Sequence, residues 1–298
     1  MSRPSDRPGG WPERMSRLRP HLACPSCHGD LADDPGALRC VACQTAYAVR
    51  GGKIYFSAPL DTDDALDSVK GRLKRALGPL YYSVGVRLIG PSYPFNYRKK
   101  ILAHVDPARS VVVDIGAGNH RLADSIVALD GVDYDAVDIV ADASKLPFKD
   151  RAIDCFTSRS VLEHVRDLSD VISEIRRCTR PGGLSIHYTP FLFPYHAAPY
   201  DYQRFTHTGI ANLFREWSIV EQENTGGPVS LLLVIVIELA SMVLSFGNQR
   251  LKACVYLLLC LVLFPLKFLD MPFIGRRAML VLAPTMVSVV QNTARGSS

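Results

Sequence analysis

Val111-Val112-Val113-Asp114-Ile115-Gly116-Ala117-Gly118-Asn119-His120-Arg121-Leu122 is the stretch that decides the fold. A β-branched apolar run ends in an acid and is followed by two glycines one residue apart. Such a run fits a strand buried on both faces of a parallel sheet. The glycines permit a tight turn and a close approach of a ligand to the backbone. A helix that follows such a turn aims its first N–H groups at that ligand. By itself a Gly-x-Gly turn is a weak signal, and Asn119 stands where a dinucleotide loop continues toward a third glycine.

The flanking sequence repeats the grammar. Ile126-Val127-Ala128-Leu129-Asp130 is a second apolar run ending in an acid, a position suited to hydrogen bonds from ribose hydroxyls. Val137-Asp138-Ile139-Val140-Ala141-Asp142-Ala143 follows, then Leu146-Pro147-Phe148. Ala152-Ile153-Asp154-Cys155-Phe156-Thr157-Ser158 reads as another strand and leads into Val161-Leu162-Glu163-His164-Val165. Leu168, Val171, Ile172 and Ile175 recur at helical spacing. Pro181-Gly182-Gly183 ends that helix and hands over to Leu184-Ser185-Ile186-His187-Tyr188. Alternating strands and helices predict an α/β core with a largely parallel sheet.

Asp114-x-Gly116-x-Gly118, Asp142-Ala143-x-x-Leu146-Pro147-Phe148, Leu162-Glu163-His164 and Arg180-Pro181-Gly182-Gly183 together resemble the class I S-adenosylmethionine-dependent methyltransferases, type 11 in particular, over residues 95–225. The resemblance implies a Rossmann-like seven-stranded sheet and S-adenosylmethionine as cofactor. It implies Gly116 and Gly118 under the methionine part, an acid of the second strand on the ribose, and Asp142 and Ala143 beside the adenine. Asp114 and Ser158 complete the implied cofactor contacts. Asp130 is the expected ribose acid, with Asp133 and Asp138 as alternatives. The short gap from Gly118 to the next acidic strand end implies a short or irregular first helix. Asp114 is also suited to orient the glycine loop through backbone N–H groups. A nucleotide oxidoreductase is the competing reading of the turn, but it leaves the Leu-Pro-Phe and Leu-Glu-His elements without a role.

The cysteines form two groups. Cys24-x-x-Cys27 and Cys40-x-x-Cys43 are separated by twelve residues. Two such knuckles place four thiolates around one tetrahedral Zn²⁺ and leave no open position, so the metal is expected to be structural. Cys155 and Cys178 read as core thiols. Cys24-Pro25-x-Cys27-x-Gly29-x-Leu31, Leu38-x-Cys40-x-x-Cys43 and Tyr47-x-Val49-x-x-Gly52 resemble the small zinc-ribbon proteins that partner methyltransferases, here fused to the enzyme. That resemblance implies a stabilising or substrate-presenting role.

Of 298 residues, 34 are basic and 29 acidic, a net charge of +5. This mild excess does not mark a dedicated nucleic-acid binder. Residues 1–20 are rich in Arg, Pro, Ser and Gly and read as disordered, with no secretory signal. The expected organisation continues with a zinc ribbon over 21–58 and a basic amphipathic linker over 59–94, with Lys70, Arg72, Lys74 and Arg75 beside an apolar face. A methyltransferase core over 95–228, an apolar helical hairpin over 229–275, and a final strand and tail over 276–298 complete it. The hairpin segments Val229–Phe246 and Ala253–Leu269 are apolar almost all round, which demands burial in protein or lipid. Membrane insertion and homodimerisation are the two modes weighed, with the membrane favoured. If Met286–Val290 is the last strand, the hairpin is an insertion between the final two strands.

Pro190 to Thr206 follows the strand ending near Tyr188, at the edge where α/β ligands bind. It resembles methyltransferases encoded among bacterial cell-surface polysaccharide enzymes. His196 reads as a general base, Arg204 as an anion clamp, and Asp201 and Tyr202 as sugar ligands. An internal Asp201–Arg204 ion pair is the structural alternative. His164 is the other catalytic candidate. The expected function is methyl transfer to an oxygen or nitrogen of a lipid-linked or membrane-proximal glycan, at the cytoplasmic face of a membrane. Ribosomal RNA methylation and a non-catalytic membrane scaffold are the alternatives.

Overall fold

The structure, a computed structural model, describes residues 11–60, 85, 88–196 and 200–293. The basic linker helix with Lys70, Arg72, Lys74 and Arg75 lies outside the described residues. Eleven strands among the described residues form one sheet. They are β1 (Leu31–Asp34), β2 (Ala37–Cys40), β3 (Ala46–Arg50), β4 (Lys53–Tyr55), β5 (Val112–Ile115), β6 (Val127–Asp130), β7 (Ile139–Val140), β8 (Ile153–Arg159), β9 (Thr179–Pro190), β10 (Ser218–Asn224) and β11 (Thr285–Gln291).

Their order is β1-β2-β3-β4-β7-β6-β5-β8-β9-β11-β10. From β4 to β9 all neighbours run parallel. β11 is antiparallel to both β9 and β10. The deciding stretch is β5, and all four of its residues are buried, at the centre of the parallel part.

The sheet is longer than the seven strands expected, because the N-terminal module is not a separate domain. Ile54 lies opposite Ile139 and Tyr55 opposite Val140, so β4 continues the sheet at the edge of β7. Ile54 N–H donates to Asp138 O at 3.0 Å and Phe56 N–H to Val140 O at 2.8 Å. Leu22, Leu38, Tyr47 and Ile54 share one apolar core with Val113, Leu129 and Phe156. A module this small has too little interior to stand alone, and borrowing the larger core supplies it.

The first crossover departs further from expectation. Residues 116–126, between β5 and β6, form turns and no helix. The N-terminal helix α1 (Glu13–Leu18) packs there instead, with Met15 and Leu18 buried. Arg14 donates from Nε and NH2 to Asp138 at 3.0 and 2.7 Å. Arg121, from the crossover itself, reaches the same carboxylate at 2.6 and 2.9 Å. Residues 11–20 are thus ordered, which corrects the expectation of disorder up to residue 20. A composition rich in Arg and Pro hides two core residues three positions apart.

Helix α2 (Tyr97–His104) precedes β5. Helix α3 (Leu168–Cys178) buries the expected Leu168, Val171, Ile172 and Ile175. It ends at Cys178, and Pro181-Gly182-Gly183 lies within β9, where the register shifts. Helix α4 (His207–Leu213) is capped by Thr206 Oγ1, which accepts the Gly209 N–H at 2.9 Å.

Between β10 and β11 lie α5 (Pro228–Leu244) and α6 (Gln249–Leu263), followed by a 3₁₀ segment, Phe264–Phe273. Leu233, Ile237 and Cys260 close the inside of the hairpin. Its outside is bare: Leu232 is 61% exposed, Leu258 59% and Phe246 90%. The helical run Gln249–Phe273 is long and apolar enough to cross a membrane, by length and composition. Asp270 ties the hairpin down. Fully buried, it accepts the N–H groups of Gly227, Val229 and Ser230 at 3.0, 2.9 and 2.7 Å. These are the donors that the first turn of α5 leaves without intrahelical partners. Lys267 Nζ donates to Gly90 O at 2.7 Å.

Candidate active site

The parallel strands β5 to β9 all end on one edge of the sheet. The turn after β5 has Gly116 at φ +66° and Gly118 at φ +59°, the left-handed region that disfavours side chains. A Cβ on Gly116 would lie 2.4 Å from Val161 Cγ2, whereas one on Gly118 would meet nothing within 4 Å. Gly116 therefore serves packing as well as backbone conformation, and Gly118 leaves open space above the loop. Asp130 Oδ2 accepts the Gly118 N–H at 2.8 Å, and Oδ1 accepts that of Val132 at 2.9 Å. Burial nevertheless raises the Asp130 pKa.

Asp114 is 5% exposed and its Oδ1 has no hydrogen-bond partner. Burial lifts its pKa well above the carboxylate range; the Arg159 charge opposes this and Asp130 adds to it. That oxygen does not orient the glycine loop. The loop is held by Asp130 and by Leu129 O, which accepts the N–H groups of Gly116 and Ala117 at 2.8 and 3.1 Å. An unpaired buried carboxylate is costly and is expected to find a cation or hold a proton.

The three candidate ribose acids separate by geometry. Asp130 stands at the end of β6, next to the glycine turn. Asp133 is taken by Lys53 Nζ at 2.6 Å and Tyr55 OH at 2.8 Å. Asp138 is taken by the two arginines and by the Ala128 N–H at 2.9 Å. Asp142 and Ala143 follow β7 on the same edge, with Asp142 exposed and its Oδ1 accepting the Ser144 N–H at 2.8 Å.

Ser158 departs from its expected role. It is fully buried, and its hydroxyl bonds to His187 Nδ1 at 2.8 Å. His187 Nε2 meets Ser185 Oγ at 2.7 Å. Burial pushes the His187 pKa down to about 3, so the ring is neutral and bridges two serines inside the sheet. The Ser158 hydroxyl is thereby engaged inside the sheet.

The turn Leu162–His164 and the segments 191–196 and 200–206 form the other wall. Tyr202 N–H donates to Glu163 O at 2.8 Å, and Gln203 Nε2 reaches Leu162 O and Val165 O at 3.2 and 3.0 Å. This brings His164 and His196 together, with ring centroids 5.1 Å apart and planes at 84°. Arg204 departs from the anion-clamp role. Its guanidinium is bound by both Asp201 carboxylate oxygens and by Phe193 O and Pro194 O at 3.1 and 2.9 Å. Burial acts against ionisation of Asp201, but Arg204 and the His196 N–H hold its pKa at about 2. The pair fixes the loop and has no donor left over for an anion.

For Glu163 the resemblance implies contact with the cofactor or the reaction pocket, with an ordinary polar strand end as the alternative. It is fully buried, and neither carboxylate oxygen has a hydrogen-bond partner. His164 Nε2 lies 3.8 Å and His196 Nε2 3.6 Å from Oε1. Its place in Leu162-Glu163-His164, directly after a strand end, was the available signal.

At the far end of the sheet, the Sγ atoms of Cys24, Cys27, Cys40 and Cys43 lie within 4.8 Å of one another. Two pairs are 3.6 and 3.4 Å apart, and none is a disulfide. A tetrahedral zinc with Zn–S of about 2.3 Å has sulfur–sulfur edges of about 3.8 Å, so four thiolates in this arrangement suit zinc. Cys155 and Cys178 are buried, and burial pushes both thiols up.

A chain with this strand order and this glycine turn has a Rossmann-like α/β architecture with a mostly parallel central sheet. Residues 96–187 match the family model described as methyltransferase domain. No curated protein matches the chain. Solved structures of similar shape include the complex of the Haloferax volcanii Trm112 methyltransferase activator with a methyltransferase. It is 16% identical, covers 79% of this chain and 100% of that one, and has a TM-score of 0.41. Burkholderia thailandensis 1,6-didemethyltoxoflavin-N1-methyltransferase, with 1,6-didemethyltoxoflavin and S-adenosylhomocysteine bound, is 17% identical over 85% and 98% of the two chains, with a TM-score of 0.42. Haemonchus contortus phosphoethanolamine N-methyltransferase 2 is 14% identical over 79% and 61%, with a TM-score of 0.45.

Proposed function

We propose that this chain is an S-adenosylmethionine-dependent methyltransferase whose acceptor is an oxygen or nitrogen of a lipid-linked or membrane-proximal glycan at the cytoplasmic face of a membrane. The observation that carries the methyl-transfer reading is the buried, unpartnered Asp114 carboxylate beside a glycine turn with open space above Gly118. These features suit a cationic ligand lying on the backbone. When bound, the cofactor supplies an electrophilic methyl group on a positively charged sulfur. Asp114 faces that positive ligand, Asp130 holds the loop and has lone pairs left for ribose hydroxyls, and Asp142 and Ala143 border the base. Glu163, His164 and His196 form the polar wall that receives the acceptor and its proton. Alignment of the acceptor at close range is the main requirement.

The membrane part of the proposal rests on the bare outer face of the hairpin. Such a contiguous apolar surface marks an interaction site, and a helix apolar on nearly all sides is at home in lipid. The Glu238–Lys252 pair at 2.5 Å joins the two helices and neutralises the one acidic charge within them.

Two measurements test these readings separately. Titration calorimetry should show S-adenosylmethionine binding that Asp114→Asn weakens at least about tenfold, since a charge-assisted contact is worth about 1.5–3 kcal/mol. Unchanged binding would remove the cofactor assignment of this edge. Detergent, and not high salt, should release the protein from membranes. Leu232→Arg with Leu258→Arg should make it soluble, because each charge is costly in hydrocarbon. A wild-type protein that is a soluble dimer without detergent would make the hairpin a subunit interface instead. Mass spectrometry of lipid extracts and RNA from a deletion strain would identify the acceptor.

A further inference from the structure

Among the described residues, two clusters of His, Cys, Asp or Glu bring their ligand atoms within 4.8 Å of one another. One is the four-cysteine site and the other is Glu163, His164 and His196. We propose that Glu163, His164 and His196 bind a second metal ion, a divalent transition-metal cation, at the rim of the proposed methyl-transfer cleft.

Three independent features point there. First, Glu163 is a fully buried carboxylate with both oxygens unpartnered. Burying such a group without compensation costs several kcal/mol in any ordinary accounting, and a bound cation is one of the few ways to offset it. Second, the two imidazoles approach without closing. At 3.6 and 3.8 Å their Nε2 atoms stand beyond hydrogen-bond distance from Glu163 Oε1. Ligands at about 2.0–2.2 Å around a tetrahedral ion lie about 3.4 Å apart, so contraction by a few tenths of an ångström accommodates the metal.

Third, the far sides of both rings are already oriented. His164 Nδ1 lies 2.6 Å from Tyr200 O, an acceptor that fixes the proton on Nδ1. His196 Nδ1 lies 3.4 Å from Pro194 O, from Asp201 Oδ2 and from an Arg204 nitrogen. Pro194 O and Asp201 Oδ2 are acceptors for a proton on Nδ1, as the ligating form requires. Both Nε2 atoms face the Glu163 carboxylate, so a cation between them would meet three ligand atoms. A carbonyl or carboxylate behind a ligating histidine is the usual support of such a site.

Two imidazoles and one carboxylate suit Zn²⁺, Fe²⁺, Co²⁺ or Mn²⁺, and three protein ligands leave at least one position open. The ligands come from the turn after β8 and the loop after β9. The first of these also carries Val161, which packs on Gly116. If the methyl-transfer reading holds, an acceptor hydroxyl at the open position would lose its proton more readily. Metal binding itself does not depend on that reading.

The test uses the full chain with zinc in the four-cysteine site, titrated with Co²⁺. One further equivalent should bind, with visible bands of nitrogen and oxygen ligation and no thiolate-to-cobalt charge transfer. X-ray absorption on the wild type should show imidazole and oxygen neighbours and no added sulfur. His164→Ala, His196→Ala and Glu163→Gln should each weaken this equivalent at least about tenfold, and His207→Ala should leave it unchanged. Circular dichroism verifies that each variant is folded. If no further equivalent binds, if the absorption spectrum shows sulfur alone, or if folded variants at all three positions bind cobalt as the wild type does, the site does not exist. S-adenosylmethionine calorimetry on the same samples tests the methyl-transfer reading separately.

Discussion

Arg14→Ala tests whether the N-terminal helix replaces the missing crossover helix. Arg14 gives two hydrogen bonds to Asp138, whose side chain is 5% exposed while that of Arg14 is 18% exposed. The carboxylate keeps Arg121 and the Ala128 N–H in the variant, so only one arm of the network is lost. Charge-assisted bonds in a buried setting are worth about 1.5–3 kcal/mol together. At roughly 2 °C per kcal/mol for a large domain, the melting temperature should fall by about 3–6 °C. Asp138→Ala should cost more, about 3–5 kcal/mol, because it strands two guanidinium groups. The double variant should cost less than the sum, since the residues touch.

The pH dependence adds a sign. Burial alone would raise the Asp138 pKa, but Arg14, Arg121 and the Ala128 N–H bring it below the usual carboxylate value. A group whose folded pKa is depressed contributes stability that is fully present above its unfolded pKa, about 3.9, and is lost as pH falls through the folded value. The gap between wild type and Arg14→Ala should therefore persist from neutral pH down to about pH 4 and close in stronger acid. Thermal unfolding followed by circular dichroism across this range measures it. A variant that melts with the wild type at neutral pH would show that α1 is not part of the core.

Gly118→Ala should fold at a cost of about 1 kcal/mol for its left-handed backbone and still lose cofactor affinity, whereas Gly116→Ala should also lose stability through its clash with Val161; calorimetry and melting together separate the two. Elemental analysis should find one zinc per chain in the wild type and none in Cys40→Ser, and the melt of the whole chain should fall with the metal, because Cys24 and Cys40 lie in the shared core. Asp270→Asn should cost about 1–3 kcal/mol by turning an amide donor toward N–H groups that need acceptors, and hydrogen exchange at residues 229–231 should accelerate.

Local patterns carried much of this structure in the sequence. Val111 to Gly118, the helical spacing of Leu168 to Ile175, and the apolar segments after Val229 each state their own conformation within a few residues. The parts that were not legible depend on distant partners. Nothing near Arg14 says that it meets Asp138, 124 positions away. The docking of β4 on β7 likewise depends on a two-residue strand whose free edge only the fold reveals. Within the candidate site, the glycine turn was readable because glycine itself marks the backbone. The fates of Ser158 and Arg204 were not, because the same side chains serve a ligand or a neighbour according to the direction they face. Glu163 read as a pocket contact or a polar strand end, and its full burial is what the sequence does not state.

Hydrogen bonding between β4 and β7 also decides what the sheet shows to other molecules. In the intact chain the outermost strands are β1, which carries Asp33 and Asp34, and β10, which carries Glu221 and Glu223. Acidic side chains along an outer strand discourage pairing with a second chain. If the four cysteines hold zinc as proposed, its loss would loosen β1 to β4 and bring the backbone of Ile139 and Val140, flanked by apolar side chains, to the surface. A chain emptied of that metal would then be prone to self-association, and precipitation would be its first symptom.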